Sequence, residues 1–140
     1  FDIRKAEPYA AYDKVSFDIP TGTVGDNMDR YTVRMTEMEM SLRIVEQALA
    51  QLPSGPFKAE KVPKKLKPPK GDLYHAVESS RGETGVYVVS DETDKPYRMR
   101  WRVPSFSNLM TFPSLVRGEL IADAIATLGS YDIVVPEIDR

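Results

Sequence analysis

Asp26-Asn27-Met28-Asp29-Arg30-Tyr31-Thr32-Val33-Arg34-Met35-Thr36-Glu37-Met38-Glu39-Met40-Ser41-Leu42-Arg43-Ile44-Val45, running on to Leu52 and halted by Pro53-Ser54-Gly55-Pro56, decides the architecture. Met28, Tyr31, Met35, Met38, Leu42, Val45, Leu49 and Leu52 recur at spacings of 3, 4, 3, 4, 3, 4 and 3. Side chains at that period share one face of an α-helix. Asp26 or Asn27 supplies a capping oxygen and the proline-glycine cluster ends the run, so the spacing predicts a helix over 27–52. Its narrow, Met-rich stripe is expected to pack against another helix, because methionine adapts to irregular neighbours. Arg30, Arg34, Glu37 and Ser41 form a second stripe at spacings of 4, 3 and 4. Two readings of it stay open: a solvated face in which Glu37 answers Arg34 and Asp26 or Asp29 answers Arg30, or a buried interface network.

Downstream the period changes from helical to alternating. Leu73–Glu78, Gly85–Ser90 and Tyr97–Val103 read as three strands, with 79–83 and 91–96 as turns, and such short connections demand an antiparallel meander. The third strand places Arg98, Arg100 and Arg102 on one face and Tyr97, Met99, Trp101 and Val103 on the other. That arginine face is either solvated or a docking surface for acids. A last helix is expected from Pro113-Ser114 to Leu128, closed by Gly129. The fold class is therefore α+β: a long helix, a shorter carboxyl-terminal helix and a small antiparallel sheet.

Around these elements, residues 1–25 carry Pro8, Pro20, Gly22 and Gly25, so ordered loop is expected there apart from a short strand at Val15–Ile19. Residues 53–72 hold a lysine- and proline-rich run whose composition predicts an exposed, extended linker inside a single domain spanning 1–140. Lys58, Lys61, Lys64, Lys65, Lys67 and Lys70 offer charge to phosphate, but the run has neither arginine for bases nor tyrosine or tryptophan for stacking, and nucleic acid is not expected as a partner. The chain closes on Tyr131-Asp132-Ile133-Val134-Val135-Pro136-Glu137-Ile138-Asp139-Arg140, an apolar segment studded with acids. It reads as a strand tied down within something larger, since free ends fray into small polar residues.

At 140 residues and 41% hydrophobic the chain can bury one modest core, and a net charge of −2 gives no global attraction to nucleic acid or anionic lipid. It contains no cysteine, which excludes disulfides and every thiolate-held metal or iron–sulfur cluster within this chain. His75 stands alone, so no stoichiometric metal is expected, and no nucleotide-binding glycine motif or serine-hydrolase elbow occurs. No apolar run approaches the length of a membrane helix. A start at Phe1 leads us to expect that the chain begins inside a longer polypeptide. Glu78-Ser79-Ser80-Arg81-Gly82-Glu83-Thr84-Gly85 remains as a tight turn whose glycines permit close backbone approach and whose Glu78, Arg81 and Glu83 can form charge-assisted pairs. On spacing alone it is a hairpin turn with surface ion pairs.

Asp2-Ile3-Arg4-Lys5 with Pro8-Tyr9, Asp26 through Asp29-Arg30-Tyr31, Arg34 with Glu37-Met38 and Ser41, Glu78 with Arg81-Gly82-Glu83, Val88 with Ser90-Asp91, Pro104 with Phe106, and Asp132-Ile133-Val134 with Asp139-Arg140 together resemble one family over nearly the whole chain. It is the hydrogenase-like, 49 kDa-type subunit of NADH:quinone oxidoreductase, respiratory complex I, in its carboxyl-terminal part. The resemblance implies a parent fold descended from the large subunit of nickel–iron hydrogenases, with a tail that lines the cavity where quinone is reduced. By motif match, Asp132, Val134 and Glu137 are the expected chamber lining, and Arg30, Arg34, Glu37, Glu78, Arg81, Glu83, Asp139 and Arg140 an expected structural or interface charge network. It further implies quinone as substrate, with NAD(H) and iron–sulfur clusters held only by partner subunits. Those partners are the subunit carrying the terminal cluster and the membrane-arm quinone subunit. The assembly would lie on the cytoplasmic face of the inner membrane, with this fragment inactive alone. Pro136 stands where many relatives have glycine, and Ser107 and Asn108 stand where others carry histidine. A function from another class, a non-redox interaction module using the arginine face of the third strand, is kept beside this one.

Overall fold

A computed structural model describes residues 1–139; Arg140 lies outside the described residues. The long helix α2 spans Asn27–Ala50, with Asp26 as N-cap accepting the Asp29 N–H at 2.8 Å, close to the bounds its periodicity predicts. Before it come a short helix α1, Ile3–Ala6, and a 3-10 turn at Tyr12–Lys14. Both are additions to the loop expected there: Asp2 caps α1 by accepting the Arg4 N–H at 3.0 Å, a local signal that periodicity does not register.

Strands β1 (Gly71–Ser79), β2 (Gly82–Ser90) and β3 (Arg98–Arg102) form an antiparallel sheet in the order β1-β2-β3, as the short connections require. Leu73 faces Val88 and Glu78 faces Glu83 across the first pair, and Val86 faces Trp101 across the second. Residues 53–70 contain no helix or strand and are exposed. Past β3 the chain makes α3 (Pro104–Leu109), α4 (Phe112–Leu115), α5 (Ile121–Ser130) and α6 (Val135–Ile138). The single helix expected from Pro113 to Leu128 is thus two, broken at Gly118, whose φ of +88° lies outside helical space. Gly129 sits inside α5 instead of closing it.

The core overturns one expectation. The stripe Met28, Tyr31, Met35, Met38, Leu42, Val45 and Leu49 is exposed, and α2 turns a different face inward. Met40 is buried with Val15 and Phe17, flanked by Tyr12 and Ile44. Val15–Ile19 pairs with no strand, and at Ser16 its polar backbone is satisfied otherwise. The Gln47 amide accepts the Ser16 N–H at 2.8 Å and donates to the Ser16 carbonyl at 2.8 Å, replacing a ladder partner with one side chain. Above Phe17 lie the Arg4 guanidinium, 4.7 Å from the ring centroid, and the Lys5 ammonium at 4.2 Å, a cation–π arrangement that closes the core toward solvent.

Candidate functional site: the clamped carboxyl-terminal tail

The tail is not a strand. Asp132 takes a left-handed φ of +52°, turning the chain out of α5, and Pro136 falls in the first turn of α6, where its fixed φ and missing N–H favour a helix start. The alternation of Ile133, Val134, Val135 and Ile138 therefore belongs to a turn followed by one helical turn. Side chains from α2, the β1–β2 hairpin and α3 of this same chain fasten the segment at successive positions.

At its root, Arg30 of α2 donates through Nε to the Ser130 hydroxyl at 2.8 Å and through Nη1 to the Gly25 carbonyl at 2.9 Å. It also donates to the Asn27 side-chain carbonyl and lies 5.5 Å from the Tyr131 ring centroid. Arg34, one turn on, donates to the Ser130 carbonyl. Both arginines of this stripe are half-buried and are answered by carbonyl and hydroxyl oxygens of this chain in place of acids. Glu37 forms no ion pair with Arg34 among the described residues. It lines, with both arginines, Gly22, Asp29 and Val33, a surface groove of about 280 Å³. Tyr131 is held from the other side by the Thr111 hydroxyl at 2.6 Å.

In the middle, Arg81 at the tip of the hairpin grips Asp132 twice. Nε donates to the Asp132 backbone carbonyl, and Nη2 lies 3.2 Å from the carboxylate. With side chains 26% and 48% exposed, the ion pair itself contributes less than about 1 kcal/mol, so it orients more than it stabilises. Asn108 of α3 donates to the Arg81 carbonyl at 3.3 Å. At the tip of the tail, the Ser105 hydroxyl accepts the Val134 N–H at 3.3 Å and donates to the Glu137 carboxylate. Val134 and Glu137 are half-buried, and Asp132 and Asp139 are exposed. A shallow cleft of about 370 Å³ adjoins them, lined by Met99, Arg100, Trp101, Phe106 and Ile138, with none of Asp132, Val134 or Glu137 in its wall.

The hairpin that supplies Arg81 is more than a turn with surface ion pairs, since each of its charged residues reaches a different segment. Glu78 accepts hydrogen bonds from both Tyr9 and Tyr12, tying the sheet to the amino-terminal segment. Glu83 accepts from Tyr74 at 3.0 Å and pairs with Arg102 of β3 at 3.7 Å. Gly82, at φ +136°, brings the hairpin onto α3: a Cβ there would stand 3.1 Å from that of Pro104. The tyrosine spacing at 9 and 12 and the serine after Pro104 are the features that pattern reading missed. Neither is distinctive until the fold places Glu78 and the tail beside them.

The two phenols add a pH response. Burial first, and then the hydrogen bond and charge of Glu78, push the pKa of Tyr9 and of Tyr12 upward from the ordinary 10.0. A group whose pKa is raised on folding stabilises fully below its unfolded value, and that contribution is lost as pH climbs through the folded value. Urea unfolding of the chain is therefore expected to show stability falling above pH about 10, and the Tyr9→Phe, Tyr12→Phe double variant to flatten that fall.

Among the described residues no cluster of three or more His, Asp or Glu side chains is placed to hold a metal ion, and no helix is long and apolar enough to cross a membrane. The family model for the respiratory-chain NADH dehydrogenase 49 kDa subunit matches residues 1–68 and 57–140. The chain is 59% identical over 140 residues to a NADH-quinone oxidoreductase subunit of Syntrophobacter fumaroxidans, covering 100% of this chain and 38% of the relative. It is 53% identical over 140 residues to the same subunit from Desulfotalea psychrophila, with 100% and 38% covered. To that of Desulforamulus reducens it is 52% identical over 139 residues, with 99% and 38% covered. The chain thus spans less than half the length of these relatives.

Proposed function

Because this chain belongs to the family of the 49 kDa subunit of respiratory-chain NADH dehydrogenase, we propose that it forms the carboxyl-terminal part of a quinone-chamber subunit in a proton-pumping NADH:quinone oxidoreductase. Asp132, Val134 and Glu137 line the cavity near the terminal iron–sulfur cluster. The observation that supports this reading is the clamped tail: Asp132 is fixed by Arg81, and Val134 and Glu137 are fixed by Ser105. A reaction site needs such support, because small misplacement of a reacting group costs rate.

Quinone reduction takes two electrons and two protons. This stretch has no cysteine to hold a cluster, and on this reading the electrons arrive from clusters and NAD(H) held by partner subunits, delivered by the iron–sulfur subunit with the terminal cluster. This chain's own part is to shape the site and supply charge. Val134 offers an apolar wall to the headgroup and first isoprene units, and the Asp132 and Glu137 carboxylates set the local potential and relay protons. Arg30, Arg34 and Arg81 keep the tail in place, while Glu78, Glu83 and Asp139 belong to the surrounding charge network. The membrane-arm quinone subunit supplies the remaining wall, at the cytoplasmic face of the inner membrane.

One observation favours a different class of function. Of the three arginines on β3, Arg102 alone enters an ion pair among the described residues, leaving Arg98 and Arg100 available to an acidic partner. Purification of the full-length polypeptide separates the two: an iron–sulfur subunit travels with it on the redox reading, and a soluble acidic regulator on the other. The chamber itself is tested by Val134→Met, which extends the side chain by about two bonds into the cavity that this reading places beside it and is expected to leave assembly intact. Affinities for a short-chain quinone and for quinone-site inhibitors are expected to shift several-fold, with donor oxidation by an artificial acceptor unchanged. Unaltered affinities would remove Val134 from the wall.

A further inference from the structure

We propose that Ser105 is a positioning residue for the Glu137 carboxylate and, through it, a determinant of the rate of quinone reduction; this deepens the chamber reading and rests on it. Ser105 is 0% exposed, a small polar residue in a place where a polar group is costly unless fully bonded. Both capacities of its hydroxyl are used on the tail. The oxygen accepts the Val134 N–H at 3.3 Å, and the hydrogen goes to Oε2 of Glu137. The bond to Glu137 satisfies the buried hydroxyl's own hydrogen and at the same time fixes the direction of the carboxylate. The second bond aims one oxygen of a half-buried carboxylate.

The mount is rigid on its far side as well. Pro104 starts α3 and abuts Gly82 of the hairpin, where any larger residue would press at 3.1 Å. From the same helix Asn108 holds the carbonyl of Arg81, and Arg81 holds Asp132. Thus α3 governs one tail acid directly and the other at one remove.

The test is made in the assembled oxidoreductase carrying the full-length polypeptide, comparing Ser105→Ala, Ser105→Thr, Glu137→Ala and the Ser105→Ala, Glu137→Ala pair. Ser105→Ala is expected to lower kcat for a short-chain quinone about fivefold, the size of one net hydrogen bond. Artificial-acceptor activity should hold, and Ser105→Thr, which keeps the hydroxyl, should restore most of the rate. On the Glu137→Ala background the same alanine is expected to cost less than about twofold, because its route to the reaction is already gone. Equal losses on both backgrounds, or a parental rate for Ser105→Ala, would overturn the assignment. Ser105→Cys, which adds little volume and weakens the donor, takes the alanine's place if that variant does not assemble, and is held to the same pattern. If Val134→Met shifts quinone affinity while Ser105→Ala changes nothing, the inference about Ser105 fails alone. If the Val134 and Glu137 variants are also silent, the chamber reading falls and this inference with it.

Discussion

Met40→Asp is expected to cost about 3–5 kcal/mol, because it puts a charge into the small core while removing a buried thioether. Met38→Asp, two residues earlier, should stay within about 0.5 kcal/mol of the parent. The difference is one of face: Met40 is 6% exposed against Val15 and Phe17, and Met38 is 54% exposed. Few hydrophobic side chains are buried among the described residues, so a loss of that size is a large part of what a chain of this length holds in reserve. Urea denaturation of the two variants beside the parent decides it. Equal destabilisation would mean that the Met-rich stripe is covered after all.

That pair also marks how far the amino-acid pattern reached. The ends of α2 were legible from Asp26 and Pro53, and the meander from its short turns, because caps and turn residues act locally. Which face of α2 is buried was not legible. The stripe with the cleaner period is exposed, and the face chosen carries Met40, Ile44 and Gln47, because Val15–Phe17 lies there and Gln47 satisfies its backbone. Period shows that side chains share a face; it is silent about what stands opposite. The tail failed for a related reason. Alternation around Val134 resembles a strand, but Pro136 and the positive φ of Asp132 commit the backbone to a turn and a helix start. Charged residues were legible as a set and not as partners: Arg34 meets the Ser130 carbonyl in place of Glu37, and Glu78 meets two phenols in place of Arg81.

In the complete enzyme the largest effect is expected from Asp132→Asn. The substitution keeps the shape and leaves the backbone carbonyl that Arg81 Nε grips, so the turn out of α5 should persist. It removes the charge 3.2 Å from Arg81 and the proton acceptor at the tail's bend. A positioned acid or base is worth two orders of magnitude or more in rate when it transfers a proton directly, and about tenfold is the expectation for the role proposed for Asp132, supplying protons at the wall. Assembly and donor oxidation are expected to be unaffected.

The most direct test of the central claim, that this tail lines the site of quinone reduction, is the ratio of donor-to-quinone to donor-to-artificial-acceptor activity in assembled enzyme bearing Asp132→Asn. The ratio is predicted to fall about tenfold, with the second activity unchanged. A parental ratio, together with parental sensitivity to quinone-site inhibitors, would contradict the assignment.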